Sequence, residues 1–260
     1  MRIFTISVLV LFVALLPGLL LSPVFGDTGS ERFASGDYAG AVDWYEQALL
    51  TAPQEDRAVL YNNLGVMYSA LGDDEKAMEA FTTAIEVDPT YGRGYLNLGS
   101  RYEQSGEIDK ALEWYLKAVD MDPSVFSEAM GNAGDMYVRV GKYDDAVTAY
   151  IRAGPDAVES VKADIYNGLG AVYMLRNRTD DAEEAFLTAI EADPDGAALA
   201  HTNLGVLRVS QGRYTEAKDE FRTAAQRDLG GITQARQYLQ SLEQMVPEQN
   251  ENESRDNHES

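Results

Sequence analysis

Apolar side chains recur along most of this chain at helical spacing, in short runs separated by polar turns. Tyr61, Leu64 and Tyr68 stand at i, i+3 and i+7; Ala77, Phe81, Ala84 and Ile85 stand at i, i+4, i+7 and i+8. Each set marks one face of a helix. Gly65 and Ala77 are small enough for the two helices to cross closely, with the aromatic rings filling the gaps. Between the helices, Gly72 sits where the chain must reverse and a positive φ is expected. Asp73, Asp74 and Glu75 then open the second helix, where carboxylates meet free N–H groups and the positive end of the dipole. Asp88-Pro89 ends the pair, because proline cannot continue a helix.

The same unit returns four more times. Tyr95, Leu98, Gly99, Tyr102, Gly106, Ala111, Tyr115, Ala118 and Pro123 form the next copy. A third has Met130, Ala133, Gly134, Tyr137, Gly141, Ala146, Tyr150 and Ala153. A fourth has Tyr166, Leu169, Gly170, Tyr173, Ala182, Phe186, Ala189 and Pro194. The fifth has Leu204, Gly205, Gly212, Ala217, Phe221 and Ala224, with His201 and Arg208 in aromatic places. The first alanine of the second helix falls at Ala41, Ala77, Ala111, Ala146, Ala182 and Ala217, a period of 34 to 36 residues. This block resembles the tetratricopeptide repeat. The resemblance spans roughly residues 27–228 and implies an all-α solenoid, a right-handed superhelix of antiparallel helix pairs with a groove lined by the first helices.

The repeats divide the chain into parts. Residues 27–231 are expected to form the solenoid, as one partial and five near-complete copies. Residues 232–246, with Ile232, Ala235, Tyr238, Leu239, Leu242 and Met245 at helical spacing, are expected to cap it. Residues 247–260 are polar and acidic and are expected to be disordered. Residues 3–21 are almost wholly apolar behind Met1 and Arg2, so 1–26 reads as a signal peptide or an N-terminal membrane anchor forming a hydrophobic helix. Pro17-Gly18 and the run Ser22 to Gly26 favour cleavage, whereas the length of the apolar run favours an uncleaved anchor. Either outcome places the repeats outside the membrane, anchored through 3–21 or secreted.

Charge and composition narrow the function. A net charge of -22 argues against nucleic acid and against an anionic lipid surface. The absence of cysteine removes disulfides, thiolate metal sites and cysteine nucleophiles. Of two histidines, His258 lies in the tail and His201 takes a packing position. No phosphate loop, dinucleotide fingerprint or nucleophile elbow is present. No catalytic residue, metal site or cofactor is expected.

The resemblance implies binding instead, of a protein or an extended peptide. Asn63, Asn97, Asn132 and Asn203 recur two residues before the first-helix glycine, and the fourth copy offers Asn167 one step earlier than Gly168. An amide donates and accepts, so a spaced row of them pairs with a peptide backbone. The row resembles the asparagine ladder of the O-linked N-acetylglucosamine transferase superhelix; asparagine is also an ordinary packing residue at this place in the family. The chaperone-tail clamp of Hsp70- and Hsp90-binding members needs lysine and arginine at set groove positions. Here Asn62 and Val66, Arg93 and Asn97, then Glu128 and Asn132 occupy them, and only Arg93 and the asparagines fit. Trp44 and Trp114 share one register and read as packing. Asn177 and Asn252 head glycosylation sequons. These features suggest an exported non-catalytic scaffold for complex assembly. The alternatives are a cytosolic co-chaperone or regulatory adaptor, and a substrate-recruiting accessory to a transferase acting in trans.

Overall fold

The computed structural model describes residues 27–228, 230–231 and 233–245. Among these residues the regular structure is entirely helical, and it falls into two compact units divided between Asp88 and Pro89.

The first unit holds α1 (Asp27–Ala34), α2 (Tyr38–Thr51), α3 (Arg57–Ala70) and α4 (Asp74–Val87). Consecutive helices pack in pairs. Ala41 and Ala77 are fully buried, and Tyr45, Leu60 and Leu64 join the α2–α3 core. The turn between α3 and α4 follows from Gly72 at φ 78°, with the Asp73 amide donating back to the Tyr68 carbonyl at 2.9 Å. Asp73 caps α4 by accepting from the Lys76 amide at 3.2 Å.

The second unit holds α5 (Gly92–Gln104), α6 (Ile108–Met121), α7 (Phe126–Arg139), α8 (Tyr143–Ala153), α9 (Glu159–Leu175), α10 (Thr179–Ala192), α11 (Ala198–Ser210), α12 (Tyr214–Arg227) and α13 (Ala235–Met245). Each helix packs on the next, α7 lies against α9, and α9 against α11, so the first helices of successive pairs stand side by side. The close crossing within a pair is visible at Gly134, where a Cβ would come within 2.6 Å of the Tyr150 ring. Asp144 and Asp145 lie in the first turn of α8 and Asp180 and Asp181 in that of α10. Lys142 and Arg178 hold the cap positions without a side-chain bond to the helix's free N–H groups, so these acids act on the helix dipole rather than as caps. Asn177 takes the turn position that glycine fills elsewhere, at φ 58°. At the far end α13 sets Leu242 against Phe221, with the Tyr238 and Phe221 rings 5.3 Å apart.

The apolar segment 3–21 and the tail 247–260, including Asn252 and His258, lie outside the described residues. No described helix is long and apolar enough to cross a membrane. The longest, α9, has 17 residues, against the roughly 20 apolar residues a bilayer-spanning helix needs.

Candidate functional site: the first-helix face

Helical spacing decides which polar side chains share a face. On α5, Arg93, Asn97 and Gln104 follow at i, i+4 and i+11. On α7, Glu128, Asn132, Asp135 and Arg139 follow at i, i+4, i+7 and i+11, and on α9 Asp164 and Asn167 at i and i+3. Because the first helices adjoin, these stripes meet. Arg93 pairs with Glu128 at 3.1 Å, and Arg139 with Glu103 at 3.2 Å, both bridging α5 to α7. Further along, Asn203 Nδ2 on α11 donates to Asn167 Oδ1 on α9 at 2.9 Å. The one-residue offset of the fourth asparagine therefore does not separate it from its neighbour.

The candidate residues fare differently. Asn132 is half-buried and makes no hydrogen bond among the described residues; Asn97 is half-buried on α5. Asn63 belongs to the first unit, is 8% exposed, and lies beside the Tyr45 hydroxyl, with its Nδ2 buried and unpaired. Arg93 is engaged by Glu128 rather than open to an acidic ligand. Asn177 is exposed in its turn, away from this row.

The face also carries chemistry that a sequence reading passes over. The second-helix aromatic is tyrosine at Tyr45, Tyr115 and Tyr150, and in the latter two its hydroxyl reaches a carboxylate of the first helix. Tyr115 donates to Glu103 at 2.8 Å, and Tyr150 donates to Asp135. Lost hydration and these carboxylates push both phenols well above their ordinary range. Asp135 is half-buried; loss of hydration is the largest influence on it, and Glu103 and Asp164 add to it. Its carboxyl is pushed up to about 7 against the opposing effects of Tyr150 and Arg139. Asp164 is exposed, and loss of hydration, with Asp193 nearby, raises its carboxyl to about 6. The signal for this was tyrosine in place of phenylalanine at Tyr115 and Tyr150.

A second polar network joins the last two pairs. His201, in a tyrosine position, is 9% exposed, with Nδ1 2.5 Å from Glu220 Oε2. Arg227 donates to His201 Nε2 at 2.5 Å, which leaves the ring proton on Nδ1 facing Glu220. Arg208, in the other aromatic position, reaches Glu220 at 2.5 Å and Glu183 at 3.7 Å. Arg213 adds Glu183 at 2.7 Å and Glu216 at 2.6 Å. Each charged side chain here faces one of opposite sign or a ring nitrogen, although Arg208 Nε itself is buried without a hydrogen bond, so the network reads as a joint between repeats. No cluster of three or more metal-ligating side chains occurs among the described residues.

Tetratricopeptide repeat models match residues 58–91, 92–125, 132–197 and 176–231. The chain belongs to the tetratricopeptide repeat family. One tetratricopeptide relative is the photosystem I assembly protein Ycf3 of Rippkaea orientalis, 34% identical over 67 residues, which are 25% of this chain and 39% of that protein. Another is the heat-shock protein cognate co-chaperone sgt12 of Aspergillus fumigatus, 37% identical over 67 residues, 26% of this chain and 19% of that protein. The matches thus span less than two-fifths of either relative. Among solved structures, MamA is similar at 27% identity and a TM-score of 0.54, covering 64% of this chain and 94% of MamA. The described helix pairs are tetratricopeptide repeats.

These findings correct the expected location. A membrane-anchored or secreted chain was the expectation from residues 3–21. No described helix is long and apolar enough to cross a membrane, and the named relatives are an assembly protein and a co-chaperone. A hydropathy run alone does not assign a compartment.

Proposed function

We propose that this protein is a non-catalytic adaptor. It holds an extended segment of another protein along the face made by α5, α7, α9 and α11, in the manner of assembly factors and co-chaperones. The observation that carries the reading is the hydrogen bond from Asn203 to Asn167, which supports a row of amides in lateral register on adjoining first helices. Asn97 and Asn132 continue the row on the two preceding first helices. An amide row suits a main chain, because each side chain offers a donor and an acceptor at fixed spacing whatever the sequence of the guest. The names of the relatives, a photosystem I assembly protein and a heat-shock cognate co-chaperone, support an adaptor role.

The test is a crosslinking pull-down from host cells, with the parent chain and an Asn97→Ala, Asn132→Ala, Asn167→Ala, Asn203→Ala variant as baits. The reading expects the partners found by mass spectrometry to fall away in the variant while its helical circular dichroism is kept. Equal recovery of the same partners on both baits would refute it.

A further inference from the structure

His201 and Arg227 meet in a way that only a neutral imidazole allows. His201 is buried on α11, and α12 supplies both of its partners. Glu220 Oε2 lies 2.5 Å from Nδ1, and the Arg227 guanidinium donates to Nε2 at 2.5 Å. Behind Glu220 stands Arg208 of α11, itself backed by Glu183 of α10 and Glu216 of α12. From α9, the Tyr166 ring packs against Ala197 and Ala200 of the same region. From α13, Arg236 is turned to the Ala225 carbonyl at 3.4 Å. Protonation gives the ring an N–H on both sides. The contact of Nδ1 with Glu220 survives and gains charge assistance. The contact at Nε2 does not, because two donors and two positive charges then face each other.

Arg227 is the last residue of α12, and the next residue, Asp228, ties the chain to the cap. The buried Asp228 carboxylate accepts from the Thr233 amide at 2.7 Å and from its hydroxyl at 2.8 Å. Thr233 Oγ1 in turn accepts from the amide of Ala235, the first residue of α13, at 3.4 Å. That helix lays Tyr238 and Leu242 on Phe221. A line of contacts therefore runs from the His201 ring to the helix that closes the repeats. We propose that His201 is a proton-operated latch on α13. Neutral, it holds Arg227 and the cap stays shut; charged, it keeps Glu220, releases Arg227 and loosens the cap over Phe221. Imidazole ordinarily changes charge between about pH 5 and about pH 8, so mild acid is the trigger. The latch works whether or not the first-helix face holds a guest.

Hydrogen exchange of the full chain, followed by mass spectrometry at about pH 7.5 and about pH 5.5 and corrected for intrinsic rates, reads the cap directly. Protection of α13 relative to α5 and α6 should fall about tenfold at the lower pH, as one charge-assisted hydrogen bond is lost. In His201→Gln the amide accepts from Arg227 and donates to Glu220 at either pH. In Arg227→Met there is no guanidinium to release. Both variants should therefore show no fall, and should His201→Gln fail to fold, Arg227→Met carries the comparison alone. A parent protein whose α13 protection is unchanged at the lower pH, or a fall that persists in either variant, overturns the latch.

Discussion

Asp135→Asn isolates one titrating group without disturbing its packing, because the asparagine Oδ1 still accepts from Tyr150. In the folded protein the Asp135 carboxyl is raised from 3.8 to about 7, first by lost hydration and then by Glu103 and Asp164. The native state thus holds a proton that the unfolded chain has released anywhere between those values. Where the native state binds more protons, stability falls as pH rises. The contribution of neutral Asp135 is therefore complete below about pH 4 and is lost as pH climbs through about 7. A shift of about three units corresponds to at most about 4 kcal/mol. Because the side chain is only half-buried, about 2 kcal/mol is the magnitude to expect.

Asparagine never ionises, so the variant should match the parent protein near pH 4 and exceed it by about 2 kcal/mol near pH 8. Urea unfolding followed by circular dichroism at several pH values measures the difference directly, and the parent minus variant comparison cancels the other titrating groups. A difference that stays flat across pH, or a variant less stable at pH 8, would refute the claim that Asp135 is held neutral by its surroundings.

Substitutions at Gly134, Gly131, Arg208 and Asn177 test the frame. Gly134→Ala drives a methyl to within 2.6 Å of the buried Tyr150 ring; overpacking of about 1–3 kcal/mol outweighs a helix-propensity gain of about 1 kcal/mol. Gly131→Ala on the same helix meets Ile165 Cγ1 at 3.1 Å and should lower the urea midpoint by less. Arg208→Met removes a guanidinium that is 13% exposed and leaves Glu183 and Glu220 short of a partner. A loss of about 3 kcal/mol is expected, read as earlier hydrogen exchange in α11 and α12 than in α5 and α6. Asn177→Gly relieves a side chain at φ 58° and should raise the thermal midpoint slightly, by the equivalent of at most about 1 kcal/mol, whereas Asn177→Val should lower it.

The frame was legible because it depends on size at fixed spacing. A small residue at Gly134 and a ring at Tyr150 meet in every pair, whatever else the helices carry, so six repeats of the pattern determine the packing together. Even the exception was readable, since Asn177 stands where the turn needs a residue that tolerates positive φ. The face was legible only in part. Phenylalanine and tyrosine fill the same slot, so Tyr115 and Tyr150 read as packing, although their hydroxyls meet carboxylates that sit at different register positions, Glu103 and Asp135. Asn63 repeats the register of Asn97 and Asn132, but the neighbourhood of Tyr45 buries it. His201 and Arg208 looked like lost aromatics because their partner Glu220 lies on the following helix and carries no repeat signature.

The acidity of the chain therefore divides by what each carboxylate does for folding. Asp73 and Glu107, at the starts of second helices, are held below the usual carboxylate range by their lysine neighbours, so their ionised forms suit the fold. Asp135 and Asp164 lie above it, so ionising them opposes the fold at neutral pH. Repeat packing gives no reason for that opposition, because the frame closes equally well over the phenylalanine repeats, which place no carboxylate beneath the ring.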